Sequence, residues 1–216
     1  DDLVDVARSD AFGDRRAAGI EQIDFEARSA LALDGDGGGF IGCGIGAVMA
    51  ATLHRYPEMR GILFDQAHVL ERTAAHVREA GAADRCTLLS GSFFEAVPSG
   101  ADAYTMRHIL HDWSDELCVT ILGNIRRVIP ANGRLLVIDM AQHDRAEYRQ
   151  QMGHVWLGFA PAQVTDWLVQ SGFAHARVRP LPAPPKCSST APNTSTARRS
   201  CPTSSSATCS APTASG

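Results

Sequence analysis

Apolar residues never run far enough in this 216-residue chain to cross a bilayer, so no membrane-spanning helix is expected. Charge of either sign is also scarce. With 20 Lys and Arg against 24 Asp and Glu the net is -4, too small and of the wrong sign to favour nucleic acid or an anionic membrane as partner. The cysteines lack any CxxC pair or Cys/His cluster at zinc spacing. Cys43, Cys86 and Cys118 lie in apolar or glycine-rich surroundings, and Cys187, Cys201 and Cys209 in a low-complexity stretch. That excludes a disulfide framework or a zinc fold and leaves reduced thiols without a metal role. The opening, DDLVDVARSD, has none of the basic and apolar character of a signal peptide, so a cytoplasmic protein is expected.

What remains is the composition of a globular domain, 44% hydrophobic and 20% charged, at a length suited to one α/β domain with a substantial core. Three regions differ in character. Residues 1–28 are charged, with scattered apolar positions such as Leu3, Val4, Val6, Phe12 and Ile20, and read as a stub of one or two short surface helices. Residues 186–216 are Ser, Thr, Ala and Pro with a few Cys and Arg. They have no large apolar side chain to offset the entropy of ordering, and read as disordered.

Residues 29–185 between them alternate regularly. SALAL (29–33), GILFD (61–65), RCTLLSG (85–91), ADAYTMRHIL (101–110) and GRLLVIDM (133–140) read as strands. Helical spacing fills the gaps: Met49, Leu53 and Tyr56 share one face, and Leu117, Ile121, Ile125 and Val128 share another in a helix after Ser114. Pro130 and Asn132-Gly133 end that second helix. A helix over 161–171 leads into AHARVRPL as a further strand. Strands separated by helices of this length give βαβ units, hence a Rossmann-like parallel sheet with helices on both faces. Ligands of such sheets bind beyond the carboxyl ends of the strands, where the strand order reverses.

Residues 33–46, LDGDGGGFIGCGIG, hold two overlapping glycine clusters. Asp65, at the end of GILFD, lies 19 residues after Gly46. A gap of about 20 residues is the spacing between a glycine loop and the acid that binds ribose hydroxyls. Alone, these features suggest an adenosyl or dinucleotide cofactor, with a tight turn and a surface Asp as the plainer alternative.

Residues 53–138 are more specific. RYPEMRGILFDQAHV, GSFFEAVPSGADAYTMRHILHDWSDE and IRRVIPANGRLLVID resemble the class I S-adenosylmethionine-dependent O-methyltransferases, the enzymes of the plant caffeate type and of bacterial polyketide tailoring. RHILHDWSDE is the most diagnostic segment. The resemblance implies S-adenosylmethionine as cofactor and the hydroxyl of a small phenolic or polyketide-like molecule as acceptor. It implies Gly42, Gly44 and Gly46 against the methionine part of the cofactor and Asp65 on the ribose. Gln66 and Phe93 would flank the adenine, Arg107 falls on a basic position, and Trp113 would pack near the cofactor. His111 falls on the family's catalytic base and Asp139 on the acid that orients it.

That assignment makes chemical sense. A sulfonium already activates its methyl group, so the protein has only to align the acceptor oxygen and remove its proton. An imidazole titrating near pH 6.5 suits proton removal, and an acid on its other nitrogen fixes the tautomer. Without the resemblance, the His of HDW would be read first as a helix cap or a backbone-bonded residue. His108 reads as pocket wall or strand filler. Asp112, Asp115 and Glu116 sit at a helix start, where acids favour the dipole and Ser114 can cap, so no metal is expected. His54, His68, His76, His143 and His175 read as solvated or core-edge residues.

Four departures from the family stand out. The acid expected before the glycine loop is replaced by Phe40, with Asp36 the candidate to substitute for it. Ser92 occupies the position of an acid near the adenine amino group, a loss of about 1–3 kcal/mol of cofactor affinity if nothing substitutes. The winged-helix-like dimerisation domain expected at the front is represented only by a short stretch, although a homodimer remains compatible with the resemblance. The substrate-side GGxER segment is replaced by HDRAEYRQQMGHVWLGFAPAQVTDWLVQSGF, which resembles methyltransferases associated with ArsR-type regulators; His154 and Trp156 on it either face the pocket or, as the safer reading, form a packed helix face. The final antiparallel strand of the class would fall in the Ser/Thr/Pro stretch, leaving the sixth strand exposed as an edge. These departures motivate a rival reading, a catalytically silent cofactor-binding protein with a regulatory or scaffold role. An NAD-dependent oxidoreductase is disfavoured, because GCGIGA lacks the third glycine of GxGxxG.

Overall fold

A computed structural model describes residues 3–9 and 37–180 of the chain. After β1 (Leu3–Ser9) come β2 (Gly37–Ile41), α1 (Ala47–Arg55), β3 (Arg60–Asp65), α2 (Ala67–Glu79), β4 (Cys86–Ser90) and β5 (Ala103–Arg107). Then follow α3 (Asp115–Val128), β6 (Arg134–Met140), α4 (Glu147–Met152), α5 (Pro161–Gln170) and β7 (His175–Pro180). The strands form one sheet in the order β4-β3-β2-β5-β6-β1-β7, with every described pair parallel. The chain winds outward from β2 to β4, then returns to the other side of β2 for β5 and β6. The order therefore reverses between β2 and β5, which fixes where a ligand crevice opens.

The pleat divides the core in two. Phe40 and Leu63 point to one face and pack with Met49 and Leu53 of α1 and Val77 of α2. Ile41, Phe64, Tyr104, Met106, Leu135 and Val137 point to the other and pack with Ile121, Leu122 and Ile125 of α3 and Val164, Trp167 and Leu168 of α5. Neighbouring residues on a strand face opposite ways, so one apolar strand feeds both layers. The buried stripe of α3 is Cys118, Ile121, Leu122 and Ile125; Leu117 is turned to solvent and Val128 is only partly buried, a shift of about one residue from the expected face. Tyr56 follows α1 as its C-terminal cap instead of joining the helical face.

Three expectations need correction. The strand before the glycine loop is GGGFI, residues the sequence suggested were loop, whereas SALAL lies outside the described residues. Glycine fits this central strand because Tyr104 of β5 lies across it. A Cβ on Gly39 would come within 2.9 Å of the Tyr104 ring, whose hydroxyl donates to the Pro98 carbonyl at 2.8 Å. Phe40, at the acid's expected position, is a core residue of the α1/α2 layer.

The second correction is at the front: residues 3–9 form a strand, not a helix. β1 runs parallel between β6 and β7, in register from Leu3 opposite Arg134 and His175. It thereby pairs one side of β7, the strand expected to be left without such a partner. β7 remains an edge, but its inner side is paired. The third is in RHIL: the strand ends at Arg107, His108 adopts φ of 55°, and a single 3-10 turn carries Leu110–Asp112. Outside the described residues lie most of the stub over 1–28, the stretch 186–216, and Asp36. No helix among the described residues is long and apolar enough to cross a membrane.

Candidate active site

The two chain reversals at the β2/β5 switch point carry the site. The first is Gly42–Gly46. Gly42 and Cys43 donate their N–H groups to the Phe64 carbonyl at 2.9 and 3.4 Å, tying the loop to β3. Gly42, Gly44 and Gly46 all have positive φ, and at Gly44 (φ 54°) a Cβ would meet nothing within 4 Å. Gly44 is thus exposed backbone bordering open space. Its N–H donates to Asp65 Oδ2 at 2.9 Å, while Gln66 N–H donates to Asp65 Oδ1 at 2.8 Å. The carboxylate is fixed by backbone, and each oxygen keeps a lone pair for a further donor. Thr73 of α2 donates to the Gly44 carbonyl, bracing the loop from below. Burial, and then the Asp65 charge, push the Cys43 thiol up to about 12, so it is neutral and unreactive here.

The second reversal is Arg107–Trp113. Its Ile109 meets the first: a Cβ on Gly42 would overlap the Ile109 side chain. His111 and Asp139 are buried, 3% and 2% exposed, and His111 Nδ1 lies 2.7 Å from Asp139 Oδ1. Asp139 also accepts Met140 N–H on Oδ1 at 2.8 Å and Leu110 N–H on Oδ2 at 3.1 Å. Its oxygens are placed to accept from Nδ1–H of His111 as well, an arrangement that leaves the Nε2 lone pair of His111 directed away from it. Nε2 lies 3.4 Å from Oδ1 of the exposed Asp112.

Burial is the largest single influence on the His111 imidazole and lowers its basicity. The hydrogen bond and charge of Asp139, with the charge of Asp112, outweigh it and raise the pKa above the ordinary histidine value. His108 differs: burial, with Arg107 and the neighbouring histidines against a smaller opposing effect of Asp139, brings it down to about 4. It is neutral at pH 7 and lies beside His111, with ring centroids 6.0 Å apart.

On the other flank an aromatic corner forms, Phe94 against Trp113 at 4.7 Å and Phe93 against Trp113 at 6.1 Å. Asn124 of α3 anchors it by donating to the Phe93 carbonyl at 2.9 Å. Ser92 directs its hydroxyl to its own turn, accepting Phe94 N–H at 3.3 Å. Arg107 ends β5 with an exposed side chain, and Gln66 is exposed at the start of α2.

His154 faces the site, the less favoured of the two readings the sequence allowed. It follows α4 and the left-handed Gly153, is 6% exposed, and tilts its ring over His111 at 4.2 Å. The backbone holds it there. The His111 carbonyl accepts the N–H groups of Val155 and Trp156 at 3.0 and 2.9 Å, and Phe159 bridges to the end of β6. At Gly158 (φ 72°) a Cβ would collide with the Ala141 backbone, so this crossing requires glycine. The sequence signal was a GHVWLGF segment whose two glycines break any helix.

A family model described as "O-methyltransferase domain" matches residues 20–160. The chain is 45% identical over 100 residues to a phenazine O-methyltransferase of Lysobacter antibioticus, covering 46% of this chain and 29% of that protein. It is 46% identical over 99 residues to a mitomycin biosynthesis 6-O-methyltransferase of Streptomyces lavendulae, covering 46% and 28%. Among solved structures it resembles CalO1, a methyltransferase in calicheamicin biosynthesis in its SAH-bound form, with TM-score 0.52 and 30% identity over 71% of this chain and 49% of that one. The chain thus spans under a third of the curated relatives it matches and about half of this solved one.

Proposed function

Because the chain belongs to the O-methyltransferase domain family, we propose that it moves a methyl group from S-adenosylmethionine to a hydroxyl of a small phenolic or polyketide-like acceptor, with His111 as general base. The observation that carries this reading is the buried His111–Asp139 pair at the sheet's carboxyl edge, joined to the glycine loop through Ile109 and Gly42.

The described residues fit the cofactor. Open space at Gly44 admits a ligand against bare backbone, the spare lone pairs of Asp65 suit a pair of ribose hydroxyls, and Phe93 and Trp113 offer ring faces and edges to a purine. When bound, its sulfonium supplies a methyl group already activated for transfer. Gln66 borders the same edge, and Arg107 and Ser92 are kept as further contacts in this reading. Asp36 remains the proposed replacement for the acid before the loop.

His111 does the proton work. Its Nδ1–H is held by Asp139, so the Nε2 lone pair takes the acceptor hydroxyl proton as the oxygen becomes nucleophilic. The resulting imidazolium is stabilised by two carboxylates, Asp139 on one nitrogen and Asp112 near the other. His154 covers His111 and limits water at the pair. The segment after residue 143 we read as a variant of the kind found in ArsR-associated methyltransferases, replacing the family's usual acceptor-side elements.

One observation favours the rival reading of a silent cofactor binder: Phe40 is core and the Ser92 hydroxyl serves its own turn, so neither restores the acid contacts expected of the family. Turnover separates the two. Purified protein with labelled S-adenosylmethionine and a panel of phenolic acceptors should transfer label, and His111→Ala should lower the rate about 10²–10⁴-fold while calorimetric cofactor binding stays within twofold. Full activity in His111→Ala would remove His111 from its role, and cofactor binding by the wild type without transfer to any acceptor would favour the silent binder.

A further inference from the structure

Among the described residues two side-chain groups bring three metal-capable atoms within 4.8 Å of one another, and both include His111. In the group His108–His111–Asp139 the carboxylate already receives two backbone N–H donors and the His111 ring. The group His111–Asp112–His154 is different. It presents the outward nitrogen of His111, an exposed carboxylate, and a buried imidazole delivered from a separate element.

We infer that His111 Nε2, the Asp112 carboxylate and an imidazole nitrogen of His154 form a three-ligand site for a divalent transition-metal ion of the zinc type, and that filling it switches off the base. Two nitrogens and one carboxylate suit zinc, nickel or copper and suit magnesium or calcium poorly. In a tetrahedral zinc site with bonds of about 2.05 Å, neighbouring ligand atoms lie about 3.3 Å apart. His111 Nε2 and Asp112 Oδ1 are 3.4 Å apart. A ring nitrogen of His154 lies within 4.8 Å of both, and His154 sits on a loop after Gly153 rather than inside a helix, so a small shift completes the third bond.

The second observation lies behind the site. A ligating histidine typically donates its other ring N–H to a carboxylate, which fixes the tautomer and raises the basicity of the metal-bound nitrogen. His111 has that arrangement with Asp139 at 2.7 Å. The lone pair aimed at an acceptor proton is therefore equally aimed at a cation. Only one can hold it at a time, so metal and methyl transfer exclude each other; this part rests on the proposed role of His111, whereas the binding itself does not.

The experiment uses the full chain freed of metal by chelation, titrated with zinc against a chromophoric indicator. Wild type should bind one equivalent that magnesium does not displace, with affinity at least tenfold lower in Asp112→Asn and in His154→Phe. Circular dichroism checks both folds, and Asp112→Asn, at an exposed position, keeps the test valid if His154→Phe does not fold. Zinc bound equally by wild type and both variants would place it elsewhere, on the cysteines for instance, and overturn the site. In the activity arm zinc should slow wild-type transfer, a chelator should restore it, and the ratio of rates with and without zinc should approach one in Asp112→Asn. Site-dependent binding without any slowing of transfer would overturn the switch. Binding by a protein that shows no transfer under any condition would support the site while removing the methyltransferase reading.

Discussion

The glycine loop and the histidine turn stand side by side at the carboxyl edge of the sheet and are built in opposite ways. The loop is backbone: three glycines at positive φ, an exposed N–H on Asp65, and open space where a side chain would be. The turn is side chain: two buried imidazoles, His111 and His154, and a carboxylate saturated with donors, packed so that little water reaches them. A surface that must admit a large, varied ligand gains from bare backbone. A proton-transfer site gains from low polarity around a fixed pair, where each charge interaction is stronger than in water.

If that contrast is right, damage on one side should leave the other measurable. The largest effect after His111→Ala is expected from Asp139→Asn, a loss of about 10²-fold in kcat with cofactor affinity unchanged. Its pH profile carries the sharper information. The wild-type imidazole titrates above its ordinary value of about 6.5, so the rate should fall as pH drops through that raised value. In Asp139→Asn burial persists while the charge is gone, so the acid limb should move to lower pH, measured with a chelator present. A limb that does not move would mean that Asp139 only supports the turn.

Next is Asp65→Ala, which removes the carboxylate that anchors Gly44 and that we propose binds the ribose. Loss of a charged hydrogen-bond acceptor should weaken cofactor binding about 10–100-fold in calorimetry, with kcat at saturating cofactor nearly unchanged. A matching fall in kcat would show the two regions to be coupled through Ile109. The smallest effect is expected from Gly44→Ala. No atom is displaced, but an L-residue at φ 54° costs roughly 1–2 kcal/mol, so cofactor affinity should fall several-fold at most and the His111 pH profile should not change.

Much of the fold could be read from local pattern, because a strand buried on both faces is an apolar run and GRLLVIDM is such a run, with GILFD close to it; RCTLLSG was legible by its apolar residues although β4 is a largely exposed edge. β2 escaped notice for a physical reason. GGGFI has almost no side chains to carry a pattern, and its Gly39 is explained by the ring of Tyr104, a residue far along the chain. The 3–9 strand was hidden by its charges and by a partner, β6, that lies far along the sequence. His111 and Asp139 were legible through RHILHDWSDE and the end of GRLLVIDM. His154 was legible only as a polar residue near glycines, since its stacking depends on hydrogen bonds from Val155 and Trp156 to the His111 carbonyl.

The sequence by itself determined the alternation of strand and helix and the placing of Asp65 at the end of its strand. These follow from residue type and spacing within short windows. Tertiary structure alone decided that GGGFI is a strand, that residues 3–9 complete the sheet between β6 and β7, and that the His154 imidazole closes over His111. Those outcomes rest on contacts between segments far apart in the chain, where the energy belongs to the pair and neither partner carries a local trace of it.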